Sequence, residues 1–426
     1  MVPPLQLGLG MGLPLSGVVP NPYLLNQNFL DPTQYRSGGW LFNYHSRSSA
    51  ATVVDENGLI TYAPENAPRL QHDANGNPLG YLHEPQVTNL LADPLNLTPW
   101  NRSNFTQSPD SYDDVMGGTT GKLITPTAST NYFYQNAPVE VNSKYTIEMW
   151  FRVPAGKTAI VALSGGAAAF PDDGRTAGFD LTNGTLFGSH ENATSTIKYF
   201  SQLNAYRCRV TITANTTLTS CPIAFGMRSE NATAFNDNTT PLTGTEQVIF
   251  MGANATKSAS GSSFIPTGNG VRQADTVTGF PIADGKDITV LTVLYNLNRL
   301  VGGQYVWRSN DHTSGIRVNG TDRNGVNLFV DGTSSSFCDS NSVNPDDKIG
   351  FGARISSSTD NRVIGDVAGN SSPSVIDLTK APDLDFTDCA LGTEADRNFI
   401  YESFRVFGRG LNNQSLQKEF LKLLNT

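Results

Sequence analysis

Residues 44–91 read YHSRSSAATVVDENGLITYAPENAPRLQHDANGNPLGYLHEPQVTNLL, and this stretch decides the fold. It is a run of short extended pieces cut by Gly58, Pro64, Pro68, Gly76, Pro78 and Gly80, with no apolar repeat at helical spacing. Two turns, Glu56-Asn57-Gly58 and Asn75-Gly76-Asn77, are hairpin-like, because Asn-Gly readily takes the positive φ angles of a tight turn. Strand, turn, strand is the local pattern. The chain after this leader keeps that pattern, and the chain before it reads as a thin arm.

Composition agrees. The 426 residues suffice for two or three domains. Only 16% are charged and 38% hydrophobic, and Asn, Thr, Ser and Gly abound. That mixture favours strands and turns over helices and over charge-driven disorder. A net charge of −9 without a Lys/Arg stripe argues against a protein that tracks nucleic-acid phosphates. No run approaches the roughly 20 apolar residues of a membrane-spanning helix. The start, MVPPLQLGLGMGLPLSGVVPNP, lacks a basic segment and is broken by Pro and Gly, so it is not read as a signal peptide. Asn-x-Ser/Thr triplets such as those at Asn101, Asn192, Asn215 and Asn319 are read as a by-product of composition.

Residues 1–38 form an arm whose prolines and glycines preclude a core or a helix of its own. Leu5, Leu7, Leu9, Met11, Leu13 and Leu15 alternate with other residues, the pattern of an extended strand laid on another surface. The expectation is an anchor that docks on a neighbouring protein or braids with sister subunits; the plainer reading is a flexible tail. Residues 39–97 are the strand-and-turn leader. From 98 to 256 strand candidates recur at regular spacing: 146–154, 158–165, 177–188, 193–200, 206–214 and 246–253. This is the rhythm of a β-sandwich or jelly roll. Residues 257–280, rich in Gly, Ser and Pro, read as a linker. Residues 281–426 read as a second sandwich, with candidates at 288–297, 303–310, 314–320, 325–332, 348–356 and 399–411. One helix closes the chain. Asn412 or Asn413 caps it, and Leu416, Phe420, Leu423 and Leu424 fall on one face. The fold class is therefore all-β: tandem β-sandwiches behind an extended N-terminal arm, with a short C-terminal helix.

Several ordered motifs carry a resemblance. In the leader they are Ser49, Ala51, Thr52, Val54, Gly58, Ile60, Asn66, Pro68 and Arg69, then Gly80, Leu82, Glu84, Gln86, Thr88, Asn89, Leu90 and Leu91. In the linker they are Phe264, Ile265, Pro266, Thr267, Arg272, Ala274 and Asp275. Together these resemble tailed-bacteriophage fibre- or spike-like minor structural proteins. There such a leader precedes a carbohydrate-binding-module-like jelly roll and wraps the next domain or the subunit junction. Within 98–256 the jelly-roll match runs through Tyr145, Thr146, Val153, Ala155 and Gly156; Phe179, Asp180, Leu181, Asn183, Gly184 and Thr185; Tyr206, Arg207, Cys208, Val210 and Thr211; and Gly252 and Ala253. Ala205 and Met251 stand where that family has tryptophan, which lowers the expectation of a sugar-stacking site in this domain. Phe404, Val406, Phe407, Arg409 and Leu411 before the final helix resemble the end of concanavalin- or laminin-G-like lectin domains.

No motif announces catalysis. His45, His72, His83, His190 and His312 sit in no His-Glu-x-x-His or Gly-x-Ser-x-Gly context, and no Gly-rich loop opens a helix. Asp172-Asp173, Asp346-Asp347 and Asp383/Asp385/Asp388 read as turn residues; the sharper reading, a calcium loop, lacks EF-hand spacing. Cys208, Cys221, Cys338 and Cys389 have no zinc-ligand spacing. Cys208 and Cys221 flank an expected hairpin with a turn near Ala214-Asn215. Either they form a cross-strand disulfide or they are two reduced core thiols. For sugar, the candidates are Tyr305 and Trp307 on one strand face with Asn310 and Asp311, and the cluster Tyr132, Phe133 and Tyr134; sandwich core is the alternative for both.

The expectation is a non-enzymatic virion protein that assembles in the bacterial cytoplasm. It would be a fibre, spike or appendage subunit presenting lectin-like sandwiches to host-surface glycans, or instead a capsid-decorating or head-fibre protein with a structural role. A polysaccharide depolymerase is the third reading. Expected partners are other virion proteins, sister copies (trimers by resemblance) and host glycans, with no nucleic acid, no membrane insertion, no cofactor and no metal.

Overall fold

The computed structural model describes residues 45–280, apart from 173 and 260. It also describes the strand Tyr23–Asn28, Leu30 and, from 287 onward, the strands and helix named below. Among the described residues the chain is nearly all β, with one helix, Asn413–Leu424. The residues expected to act as an anchor, Leu5, Leu7, Leu9, Met11, Leu13 and Leu15, lie outside the described residues.

Two six-stranded antiparallel sheets draw only on residues 101–256. Sheet I runs Thr194–Phe200, Ala205–Thr213, Lys144–Arg152, Val248–Thr256, Lys122–Pro126, Phe105–Gln107; sheet II runs Thr185–Ser189, Thr176–Asp180, Ile160–Gly165, Leu218–Arg228, Tyr132–Val139, Asn101–Ser103. Alternation places one side of each strand in a shared core. Ile147, Met149, Phe151, Val210, Ile212, Val248 and Phe250 face Phe133, Val161, Leu163, Phe179, Ile223 and Phe225. Phe225 stacks between Phe133 and Phe250, at 5.4 and 5.9 Å between ring centroids.

Sheet I is buried on its outer side as well. Every residue of Val248–Thr256 is buried, because a second apolar cluster lies over that face. Trp150, Phe200, Ala205, Ile249 and Met251 of the sheet meet Val54, Ile60 and Ala74 of the leader, Val115, and Phe264 from the 257–280 segment. Strands buried on both faces lose polar alternation, which is why 248–253 reads as a continuous apolar run.

The leader is two hairpins. Ala51–Val54 pairs with Ile60–Ala63, and Arg69–His72 pairs with Pro78–His83. Their turns share one design. Asp55 Oδ1 accepts the N–H groups of Asn57 and Leu59 at 2.9 and 3.0 Å. Asp73 Oδ1 accepts those of Asn75 and Asn77 at 2.8 and 2.9 Å. Gly58 and Gly76 take φ of 73° and 84°. The turns also touch: a Cβ on Gly58 would lie 2.7 Å from the Ala74 carbonyl oxygen, and one on Gly76 would overlap that of Glu56. Only glycine fits either place.

The remaining sheets redraw the expected boundaries. Sheet III holds Ser374–Leu378, Asn361–Val367, Lys348–Ser356, Asp287–Asn296, Phe399–Phe407, Pro78–His83 and Arg69–His72 in that order, with Tyr23–Asn28 also on Phe399–Phe407. Sheet IV holds His45–Ser46, Thr276–Phe280, Cys389–Leu391, Gln304–Ser309, Gly315–Asn319, Gly325–Val330 and Thr333–Ser336. The sheets face each other: the Tyr401 hydroxyl of sheet III donates to the Val306 carbonyl of sheet IV at 2.8 Å. The second sandwich is thus built from 281–426 together with arm, leader and linker strands, because edge strands far off in sequence complete its two sheets. The 257–280 segment is no bare linker: it supplies Thr276–Phe280 to sheet IV, and Val271–Arg272 pairs with Val87–Thr88 of the leader. The C-terminal helix packs on sheet III with Leu416 and Phe420 fully buried. The side chains of Leu423 and Leu424 lie outside the described residues.

The hairpin expected around Ala214-Asn215 does not form. Ala205–Thr213 belongs to sheet I and Leu218–Arg228 to sheet II, so the turn carries the chain across the core. Backbone bonds pin it at the rim. Ala214 N–H donates to Ser143 at 3.0 Å and Asn215 N–H to Ala169 at 2.8 Å. Cys208 therefore lies beside Met149 and Cys221 beside Ala137, on opposite sheets. Both thiols are free and buried, which overturns the disulfide reading. Burial pushes the Cys208 thiol well above its ordinary value.

Candidate functional site

The most unusual chemistry lies where the leader meets the 257–280 segment. Three arginines and two carboxylates, all nearly solvent-free, form one cluster. Arg47 Nη1 donates to Asp275 Oδ1 at 2.8 Å. Arg69 is paired with both Glu84 and Asp275. Arg272 Nε stands 3.6 Å from Glu84 Oε2. Backbone atoms take most of the remaining hydrogen bonds, and Arg69 Nη1 also donates to Ser263 Oγ at 2.9 Å. Arg47 also donates to the carbonyls of Ser49, Ala67, Ala63 and Pro64 at 2.8, 3.1, 3.3 and 2.6 Å. Arg272 donates to Pro85 at 2.6 Å. Ser263 N–H donates to Glu84 Oε1 at 2.7 Å, and Glu84 N–H to Asp275 Oδ2 at 2.9 Å.

Burial works against ionisation of both acids, but the guanidinium groups outweigh it. Asp275 is held well below the usual carboxylate range by Arg69, His83 and Arg272, and Glu84 is lowered by Arg272 and Arg69. Burial draws Arg272 down to about 10. Acids held ionised in pairs have no proton to give and no free lone pair aimed at a substrate. The arrangement fastens chain segments and does not suit acid–base chemistry.

Beside it lie His45, His83, Tyr81 and Tyr401. His45 Nδ1 and the Tyr81 hydroxyl are hydrogen-bonded at 2.8 Å. Tyr81 and His83 share one side of their strand, with ring centroids 6.2 Å apart, and Tyr401 lies 6.3 Å from His83. Neither ring nitrogen of His83 has a hydrogen-bond partner. Burial lowers both histidines to about 4, so both are neutral at pH 7.

The motif residues of the leader are those that do the fastening. Thr52 Oγ1 donates to the Phe264 carbonyl at 2.6 Å. Asn89 donates through Nδ2 to Ile265 at 2.9 Å and accepts at Oδ1 from Ala255 N–H at 3.1 Å. Leu91 is buried in the first core. Sequence reading missed Arg47, His45 and His83. Only His83 carries a local signal, an imidazole closing the otherwise apolar strand Pro78–His83; His45 sits in the two-residue strand His45–Ser46 and Arg47 follows it.

The proposed sugar residues fare differently. Trp307 is fully buried in sheet IV and offers no ring face to a ligand. A bulge between Tyr305 and Trp307 also breaks the alternation that would put both on one face. The Tyr305 side chain, Asn310 and Asp311 lie outside the described residues. In the other cluster Phe133 is core, while Tyr132 is exposed with its ring 5.8 Å from that of Tyr134. Ala205 and Met251 are buried under the leader. The missing tryptophans are therefore a feature of the leader contact and say nothing about an open sugar face. Of the turn aspartates, Asp172 pairs with Arg175 at 2.9 Å on the surface; Asp173, Asp346, Asp347, Asp383, Asp385 and Asp388 lie outside the described residues.

No protein-family model matches the sequence, and no curated protein matches it. Among solved structures, a botulinum neurotoxin serotype D binding domain is similar at 10% identity over 35% of this chain and 40% of that one, with a TM-score of 0.27. The same figures hold for botulinum neurotoxin type C, whose cell entry is described as dependent upon interaction with two ganglioside molecules. Domains LG4-5 of the mouse laminin alpha1 chain match at 11% identity over 76% of this chain and 96% of that one, with a TM-score of 0.20. The chain thus spans less than half the length of the neurotoxin structures it matches. Superpositions this loose carry no argument about ligand, and the sandwich architecture rests on the strand registers themselves.

Proposed function

We propose that this chain is a non-enzymatic structural subunit of a tailed-bacteriophage virion, an appendage that presents β-sandwiches for attachment to host-surface glycans. One observation carries the reading. The residues on which the phage resemblance stands, Thr52, Arg69, Glu84 and Asn89 in the leader and Phe264, Ile265, Arg272 and Asp275 in the linker, meet in buried contact across 176 to 212 residues of sequence. A motif whose members depend on one another physically supports kinship better than scattered matches. Weak sugar contacts repeated over sister subunits would add up through avidity.

A second reading is a decorating protein with a structural role. It is favoured by the covering of sheet I by the leader, and by Phe235, which lies over Gly178 and Gly188 on sheet II. Both coverings leave less open sheet face for ligands.

Antibody-gold electron microscopy of intact virions of the encoding virus tests the proposal. Label on fibres or the tail tip supports attachment, and label spread evenly over the head supports decoration. Purified particles without label would remove the virion assignment.

A further inference from the structure

Of the described histidines, His72 and His190 are half-buried, while His45 and His83 are buried and stand together. They mark the joint where the leader enters the second sandwich. His45 lies on sheet IV, where its two-residue strand pairs with Thr276 and Val277. His83 ends a leader strand of sheet III and is opposite Phe399, with Tyr81 opposite Tyr401. The hydrogen bond between His45 Nδ1 and the Tyr81 hydroxyl, 2.8 Å long, ties the two sheets at this point. Both pairings are short: two residues on sheet IV, and three between the leader and Phe399–Phe407. No strand of sheets I and II contains a histidine. His190 lies just past Ser189, where its Nδ1 accepts the Thr176 N–H at 3.2 Å.

The surroundings of these two rings suit the neutral form only. His83 is faced by Tyr81 on its own strand, Tyr401 from Phe399–Phe407, His45 from sheet IV, Arg69 from the neighbouring hairpin strand, and Arg272 and Asp275 from the 257–280 segment. His45 is faced by Tyr81, Arg47, Arg69 and Asp275. Glu84 is the second carboxylate of the cluster. Three guanidinium groups against two carboxylates already leave one positive charge in excess, and protonating both imidazoles would leave three. An imidazolium at His83 would carry two N–H donors, yet neither nitrogen meets an acceptor among the described residues, nor does His45 Nε2. A charge there is neither hydrated nor paired, so it is far more costly inside the closed joint than in water.

We propose that the joint is an acid-operated latch: proton uptake by His45 and His83 frees His45–Ser46 from Thr276 and Val277, and Tyr81 to His83 from Phe399 to Tyr401, while the first sandwich stays folded. Opening lets both imidazoles reach water, and it breaks only a few backbone hydrogen bonds because the pairings are short. Between 6.5, the ordinary value, and about 4, the value in the closed joint, each histidine favours the open form by about tenfold per pH unit as pH falls. The closed form is therefore fully favoured above 6.5. The acids of the cluster do not respond in this window, since the arginines hold Asp275 well below the usual carboxylate range and lower Glu84. The latch concerns the chain's own joint and stands whether or not the virion reading does.

Hydrogen–deuterium exchange of the full chain, read by peptide mass spectrometry from about pH 7 to about pH 3 and corrected for the chemical exchange rate at each pH, tests it. Protection of peptides over 81–83, 276–277 and 399–401 is expected to fall about a hundredfold or more by about pH 4.5, with Lys144–Arg152 and Val248–Thr256 unchanged. The double variant His45→Gln/His83→Gln keeps neutral polar side chains and is expected to hold its protection at that pH. Should the double variant not fold at neutral pH, the midpoint of opening in the parent chain decides. A midpoint between about 4 and 6.5 supports the latch, and one below about 4, in the carboxylate range, overturns it. Opening that persists in the folded double variant, or protection lost in both sandwiches together, overturns it as well.

Discussion

Arg47 and Asp275, 228 positions apart in sequence, are joined through Nη1 and Oδ1 at 2.8 Å with neither side chain reached by solvent. Asp275 is at the same time the partner of Arg69. One carboxylate thus holds the strand that opens sheet IV and a hairpin strand of sheet III to the segment between the sandwiches. Buried ion pairs add little net stability over apolar packing of the same shape. Their effect is selectivity, since any other register of the leader would strand a charge in a dry interior.

Removing one partner of the cluster should therefore be costly. Arg69→Met leaves Glu84 and Asp275 short of countercharge, and a loss of about 3–5 kcal/mol is expected. Urea unfolding followed by tryptophan fluorescence measures it. A loss under about 1 kcal/mol would mean that the cluster is far wetter than its burial indicates.

The histidines set an acid limit. His83 falls from 6.5 to about 4 in the fold because it is buried. Between those values the unfolded chain holds more protons than the folded one, so stability rises with pH across this window. It is complete above about 6.5 and declines as pH drops toward 4, by on the order of 3 kcal/mol for this residue. His83→Leu should flatten the slope, leaving the part due to His45, which shifts in the same direction. Denaturation midpoints at pH 7 and pH 4.5 for both chains give the comparison; parallel slopes would contradict it.

The facing turns offer a backbone test. Gly76 has positive φ and no room for a Cβ against the Glu56 carbonyl. Gly76→Ala is expected to cost about 1–3 kcal/mol, and more than Ala74→Gly, which removes one methyl group from the second apolar cluster. Thermal melts of the two variants rank them, and the reverse order would argue against turn-to-turn packing.

The thiols provide a chemical check. Cys208 and Cys221 are buried and unpaired. Iodoacetamide without reductant should leave both untouched in the folded chain and label both after denaturation. Peptide mass mapping reads the result, and a linked Cys208–Cys221 peptide would contradict the sheet assignment.

Much of the first sandwich is legible in sequence. Strands such as Lys144–Arg152 and Val248–Thr256 announce themselves through dense β-branched and aromatic residues between turns. The Asn-Gly hairpins were readable for the same local reason, although the bond-making residue of each turn is the aspartate ahead of it. Cys208 and Cys221 show where local reading stops. A short turn between two strands looks alike whether the second strand pairs with the first or crosses to the opposite sheet.

The sequence by itself determined that this is a β protein and where its turns fall, because backbone conformational preference is local. Only the tertiary structure decided that the leader covers sheet I, that arm and linker strands complete the second sandwich, and that Trp307 is core. Those outcomes depend on which distant segments shed water together. Burial and charge pairing act through space, and no window of neighbouring residues records them.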